Sequence, residues 1–537
     1  MKWKKIGLLL LVWTLCGCAG KQQEAAENPA ELTLCEQHAA DAVTLDWYVN
    51  YSWFATPWGE NAVSKKITED TGISVHFLTP KGNEKEKFNA MISADSLPDL
   101  VTLGWWEPQV DIMIDKGMVY ALNELADTYD AYFWETTEEA VRSWYTKEDG
   151  NFYCYPSSAY QPEDYEKNHN IGSNQTFLVR KDIYEALGSP DMTTPEGFQA
   201  AVRAAAKQFP LIDGRELIPI GAHVFDDMGC ASFDQYLQNF LAIPQEKDGQ
   251  YYDRDTDSEY IRWLKAFREL GAEGYLKEEI FIDKRTQMEE KMEQGRYFCM
   301  LYQWKDMENQ QKLLYHKNPD SIYLAVDGPK NSKGDDHVLP GAGINGWTVT
   351  LISKNCERPD RAIEFMTYLM SEKGQRMTYY GVEGVTYDLV DGMYVMKPEV
   401  QKVLETDRVE YDRLYGADNT YWMLQNTAMQ LPWKRKPAEH LRQLEEWTYP
   451  YTHYLGQYEL TFRADTEAGN NYNKIKRLWS ETLPRLLLAP SEEEFDSILD
   501  RYIASREQMG YQTVVQEAQR QIADAKHKLG FDIGTDG

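Results

Sequence analysis

What most restricts the fold of this 537-residue chain is an alternation of strand and helix patterns near its start. Val43–Val49 (VTLDWYV) is a β-rich run. Residues 57–71 follow as loop and helix, with Asn61, Val63, Lys66 and Ile67 at helical spacing and Gly72 placed to end the helix. Residues 74–78 read as a second strand, 84–94 as a second helix and 100–103 as a third strand. Strand, helix, strand, helix, strand predicts a parallel sheet covered by helices. A second unit begins near Tyr155. Gln175–Arg180 (QTFLVR), 297–302 (YFCMLY), 321–326 and 347–353 (WTVTLIS) read as strands. Thr194 before Pro195 opens a helix as N-cap and first residue. Residues 259–269 and Pro359–Met370 are amphipathic helices, and the chain beyond about Lys434 is mostly helical. The expected fold class is α/β, with two to four units at roughly 150 residues per domain.

The N-terminus carries an address rather than a fold. Residues 1–5 hold three lysines, and 6–15 form an apolar run of ten residues, short of the about 20 that span a bilayer. A charged region before a short apolar one marks a secretory signal. Leu15-Cys16-Gly17-Cys18 then meets the polar residues 19–23. This resembles a bacterial lipobox, which implies loss of residues 1–17 and acylation of Cys18. Residues 18–41, rich in Gln, Glu, Ala and Asn, read as a flexible tether. Two acyl chains hold a protein on a membrane stably. The expected location is the extracellular face of the cell membrane, with the lipid anchor as the membrane contact.

The formal net charge is −30, and loss of three lysines with residues 1–17 leaves −33. Such a surface argues against nucleic acid and, weakly, against a highly anionic solute. Beyond Cys16 and Cys18, the cysteines Cys35, Cys154, Cys230, Cys299 and Cys356 are scattered, neither a zinc set nor a disulfide framework. Gly341-Ala342-Gly343-Ile344-Asn345-Gly346 spells G-x-G-x-x-G but precedes a strand, the wrong context for a dinucleotide, so the glycines fit a chain crossing better. Asp253 to Asp257 resembles the start of a calcium loop, yet Ser258 and Leu264 stand where glycine and glutamate are required; a turn capping the next helix is expected. No nucleophile or metal motif occurs, so no cofactor, no metal and no catalytic residue are expected.

Several stretches are similar to family 1 extracellular solute-binding lipoproteins: residues 63–77 (VSKKITEDTGISVHF), 96–104 (SLPDLVTLG), 345–392 and 483–510. The group resembled most is the large Gram-positive lipoproteins of polysaccharide import. The resemblance implies a two-lobed, periplasmic-binding-protein-like (type II) fold with an inter-lobe cleft, hinge crossings and a helical C-terminal part. By analogy, lobe 1 would be residues 42–155 plus 340–372, and lobe 2 would be 156–339 plus 373–537. The crossings would lie near 154–160, 337–343 and 373–380. It further implies a monomeric, non-catalytic receptor that passes a small solute, an oligosaccharide, to ABC permease subunits. A surface glycoside hydrolase and a sensor for a membrane receptor kinase are the alternatives.

In an open α/β sheet, ligands sit beyond the carboxyl ends of the strands. Those positions hold Asn50-Tyr51-Ser52-Trp53-Phe54 with Trp58, then Trp105-Trp106-Glu107, then Gln303-Trp304, while Asn345-Gly346-Trp347 precedes another strand. A flat indole covers the C–H face of a pyranose, and amides and carboxylates serve its hydroxyls. The candidate ligand contacts are therefore Trp53, Trp58, Trp105, Trp304 and Trp347, with Asn61, Glu107, Asp226, Asp227, Gln303, Asn345 and Glu383 as polar partners, and Trp422 as a further aromatic.

Overall fold

A computed structural model of the chain describes residues 32–531. The signal, Cys18 and most of the expected tether lie outside the described residues, and the end of that tether is corrected: Leu34–Gln37 is a capped helix whose Cys35 is buried in the core of the first sheet. Two separate sheets organise the chain. We number nine strands: β1 Val43–Val49, β2 Ile73–Leu78, β3 Leu100–Gly104, β4 Tyr155–Pro156, β5 Gln175–Arg180, β6 Ile218–Ile220, β7 Tyr297–Gln303, β8 Tyr323–Ala325 and β9 Thr348–Ile352. The first sheet has the order β2-β1-β3-β9-β4, and the second β8-β5-β7-β6.

β1 pairs in parallel with β2 (Val43 opposite Ile73) and with β3 (Trp47 opposite Leu100), as the alternation predicts. β9 differs: it runs antiparallel to β3, Thr348 facing Gly104, and β4 runs antiparallel to β9. Both arrive from far along the chain, so local pattern cannot give their direction. The ends of β1 and β3 and the start of β9 thereby share one edge. Helices cover both faces of this sheet. Leu45, Trp47 and Val49 point into a core with Ile67, Phe365 and Met366, while Tyr48, Val101, Leu103 and Leu351 meet Phe88 and Met113 on the other side. In the second sheet, β7 runs antiparallel to β5 with Gln303 opposite Gln175, and parallel to β6. The ends of β6 and β7 and the start of β5 therefore share an edge.

Caps close the helices where the sequence suggests. The Thr194 hydroxyl accepts from the Gly197 amide at 3.1 Å. Asp257 Oδ1 accepts from the Glu259 amide at 2.8 Å, so the calcium-like run is a helix start. The carboxylates of Asp253 and Asp255 meet Arg506 and Gln238 instead. Among the described residues the five cysteines are free and buried, and no cluster of potential metal ligands occurs. No described helix is long and apolar enough to cross a membrane.

The expected division of the chain needs correction in its last part. Residues 373–537 do not pack as one addition to the second half. Val400, Tyr411, Ala417 and residues 421–424 join the core of the first sheet. Leu444, and then Ile475, Trp479, Leu483, Phe495 and Leu499 from the helices Glu467–Leu487 and Glu492–Gln508, join the core of the second. The helix Glu372–Tyr380 is likewise no crossing: Gln375 Nε2 donates to the carbonyls of Leu369 and Leu424, both in the first half. An amphipathic face states that a helix packs, not on which core. The third link between halves runs instead between Leu431 and Leu444. Where the halves join, chain segments lie side by side. The Trp347 amide donates to the Ser157 carbonyl (2.8 Å), Tyr160 to Gly343 (3.0 Å) and Ser158 to Gln425 (2.7 Å).

Candidate functional site

The first crossing leaves β4 at Pro156, beside the start of β9, and enters the second sheet at Gln175. Both sheet edges described above therefore border the junction, one from each half.

On the first edge, four aromatic rings gather. Trp53 lies in the loop after β1 and is 58% exposed. Its ring is parallel to Trp347 (6.0 Å between centroids, 7° between planes) and lies 5.5 Å from Trp422. Tyr51 sits 5.4 Å from Trp53, and Trp347 is 4.4 Å from Trp422. Trp422 comes from a 3-10 turn (Trp422–Leu424) against β9. It is only 8% exposed, yet its Nε1, like the Tyr51 hydroxyl, has no hydrogen-bond partner among the described residues. An unpaired buried donor costs about 1–3 kcal/mol, and these two lie beside the exposed platform. Nearby, the turn Trp105-Trp106 is fixed by Glu107. Its Oε1 accepts from the Gly104 amide (2.8 Å) and its Oε2 from Asn50 Nδ2 (2.7 Å), while Asn50 Oδ1 accepts from the Tyr48 hydroxyl (2.9 Å). Burial pushes the Glu107 carboxyl above its usual range, opposed by those hydrogen bonds. Glu107 holds the turn that presents Trp105, half-buried, and Trp106, 50% exposed.

The opposite edge is polar. Gln303 is half-buried, and Lys305 is exposed with its ammonium 5.5 Å from the Trp304 ring. Asp306 pairs with Arg285 at 3.2 Å. Burial lowers the His223 pKa, so that ring favours its neutral form. The exposed aromatic surface thus belongs to one half, and Trp304, the candidate indole of the other, is buried.

Several candidates serve the fold instead. Trp304 is 4% exposed, and its Nε1 donates to the Ser173 carbonyl at 2.9 Å. Trp58 donates to Thr68 Oγ1 at 2.8 Å and packs on Tyr421 and Phe365. Asn61 caps the helix Ala62–Thr71: its Oδ1 accepts from the Ser64 amide at 2.9 Å, and its Nδ2 donates to the Tyr421 hydroxyl at 2.7 Å. In all three the polar atoms are engaged inside the protein, the arrangement of residues that support the fold. Asp226 and Asp227 are exposed, and Asp226 Oδ1 accepts from the Met228 amide in a turn. Glu383 is exposed next to a hairpin, β10 Tyr387–Val390 and β11 Met393–Met396, with none of the platform residues beside it. Asn345 lies within the junction, bonded to both halves. Tyr51 stood within the aromatic run after β1, but its unpaired hydroxyl could not be read from sequence. Trp422 follows no strand, so no pattern placed it beside Trp53.

The comparisons agree with this architecture. Over 555 aligned residues, the chain is 22% identical to the polygalacturonan/rhamnogalacturonan-binding protein YtcQ of Bacillus subtilis (strain 168), covering 98% of this chain and 99% of that protein. The alginate-binding protein AlgQ2 superposes with a TM-score of 0.63 at 18% identity, over 89% of this chain and 98% of that one. The Streptococcus pneumoniae ABC-transporter substrate-binding protein FusA, in complex with kestose, gives 0.66 at 14% identity, over 90% and 100%. At these identities the solved structures speak to fold: a mixed α/β, two-lobed solute-binding architecture. Residues 62–392, well over half of the chain, match the model of one family, and the protein belongs to the bacterial extracellular solute-binding proteins.

Proposed function

We propose that this protein captures an extracellular oligosaccharide between its two halves and hands it to the membrane subunits of an ABC importer without altering it. The observation that carries this reading is the platform of Tyr51, Trp53, Trp347 and Trp422, with two unpaired donors at its base. Exposed indole suits the C–H face of a sugar ring, and the Tyr51 O–H and Trp422 N–H suit a sugar oxygen. Trp105 and Trp106 extend the apolar surface, and Gln303 supplies an amide from the facing edge. Asn345 acts as a support rather than a contact. The ligands in the relatives' names (polygalacturonan, rhamnogalacturonan, alginate and kestose) are all carbohydrates.

Solute bridging both halves would shift an open–closed equilibrium toward the closed form, and the difference in affinity between the forms supplies the driving force. An acylated Cys18 with a tether that ends before the helix Leu34–Gln37 would hold a monomeric receptor at the outer membrane face, near its permease. Isothermal titration against oligogalacturonides, alginate oligosaccharides, kestose and maltooligosaccharides tests the reading. Saturable binding with the sugar recovered intact by chromatography is expected. Binding to none of them, or steady accumulation of cleavage products, defeats it.

A further inference from the structure

Glu459 follows the 3-10 turn Gly456–Tyr458 in the second half, and its carboxylate reaches the second crossing segment. Its Oε2 accepts from Asn345 Nδ2 at 2.9 Å. Asn345 is gripped from the first half as well. Trp144 Nε1 donates to its Oδ1 at 2.7 Å, and the Tyr145 hydroxyl donates to its carbonyl at 2.8 Å. One residue thus ties both halves together, two positions before Trp347 of the platform. The glycine-rich run now has a reason. A Cβ on Gly343 would stand 2.7 and 2.8 Å from the two Glu459 oxygens, so only glycine leaves the carboxylate its seat. Gly346, at φ +67°, lies where a Cβ would be 2.1 Å from the Ser157 carbonyl oxygen.

No cation offsets this carboxylate: among the described residues, Glu459 makes no salt bridge. The charged groups on surrounding elements are engaged elsewhere. Lys526 pairs with Glu246 (2.6 Å), Lys147 with Asp111 (2.8 Å) and Arg463 with Asp115 (2.6 Å), while Lys528 donates to the Trp144 carbonyl (2.8 Å). The groups that face it are the phenols of Tyr145, Tyr165 and Tyr454, with Glu163 and Asp164 beyond them and His453 exposed alongside. Burial pushes the Glu459 carboxyl up to about 7, with Asn345 and the Gly343 amide opposing.

The geometry points to a proton-operated joint: a proton on Glu459 favours the arrangement in which it packs on Gly343 and Asn345, so the opening of the two halves, and with it solute capture, follows external pH. This rests on the reading of the halves as moving lobes. The sign follows from solvation. The ionised form seeks water, so raising pH through neutrality favours the arrangement in which the carboxylate is wet. If that arrangement exposes it fully, the equilibrium shifts by up to about tenfold between pH 6 and pH 8.

Small-angle scattering and tryptophan fluorescence of the full-length, ligand-free protein between pH 5.5 and 8.5 test the joint. A transition that rises from the acid end and levels off above about pH 7 is expected, absent in Glu459→Gln. In Asn345→Ala the midpoint should move up, because a hydrogen bond favouring the ionised form is gone; a merely structural contact would not move it. A flat wild-type profile, or an unchanged transition in Glu459→Gln, overturns the proposal. Adding saturating oligogalacturonide separates the two readings. Contraction on sugar without a pH response overturns the joint alone, whereas a pH response without contraction on any panel sugar supports the joint and counts against capture between the lobes.

Discussion

Replacing Trp53 by alanine isolates the platform from the core, because this indole is mostly outside the packed interior. Its exposed share is 58%. Taking an indole surface of roughly 250 Å², that leaves about 145 Å² in water, of which a stacked sugar ring covers about half. At about 25 cal/mol per Å², covering about 70 Å² is worth about 1.8 kcal/mol. Since about 1.4 kcal/mol is tenfold in affinity, the dissociation constant for the best glycan in the panel should rise about 20-fold. Titration calorimetry measures the change directly. Stability serves as the control: Trp53 meets Tyr51, Trp347 and Trp422 through ring contacts alone, so the urea midpoint should move little. If affinity for that glycan stays within twofold of wild type while the variant remains folded, sugar stacking on this surface is wrong. If affinity and stability fall together by matching amounts, Trp53 is a packing residue rather than a stacking surface.

Tyr51→Phe removes a hydroxyl with no protein partner, so stability should hold or rise slightly while affinity falls about two- to tenfold, the worth of one neutral hydrogen bond; equal affinity in calorimetry would remove that donor from the site. Trp304→Ala should do the reverse, losing about 3–5 kcal/mol in urea unfolding and leaving the affinity of the folded fraction unchanged, since the indole is buried against Ser173. Asn61→Ala removes a helix cap and the partner of the Tyr421 hydroxyl, which should cost about 1–2 kcal/mol of stability by the same assay. The Glu459 carboxyl, held above its unfolded value, stabilises the fold fully at acid pH and loses that contribution as pH rises through about 7. The stability gap between wild type and Glu459→Gln, followed by urea unfolding, should therefore widen in favour of the variant from pH 6 to pH 8. A constant gap would mean that Glu459 is solvated in the folded protein.

Local pattern was enough for the elements themselves. Val43–Val49, Gln175–Arg180 and Pro359–Met370 form where the sequence places them, because a short β-rich apolar run or a proline-opened helical run carries its own local preference, even though the last two are buried almost throughout. The α/β class and the resemblance of the flanking stretches follow from the same local order. Trp53 could be marked as a candidate because the carboxyl end of a strand in such a sheet is an edge, whereas Trp347, just before β9, reaches that edge only because β9 runs antiparallel to β3.

What the sequence could not supply was partnership. Trp58 and Trp304 look like Trp53 in a string of letters; what sets them apart is burial, with Thr68 and the Ser173 carbonyl accepting from their indoles, while Asn61 and Asn345 alike have their amides engaged inside the protein. Trp422, 369 positions after Trp53, enters the platform only because its turn packs on β9. Residues 400–424 carry apolar faces that either core could bury, and tertiary packing chose the first. Sequence fixes which surfaces must leave water, a property each segment carries alone. Which surfaces meet is a property of pairs distant along the chain, decided only when the whole fold closes.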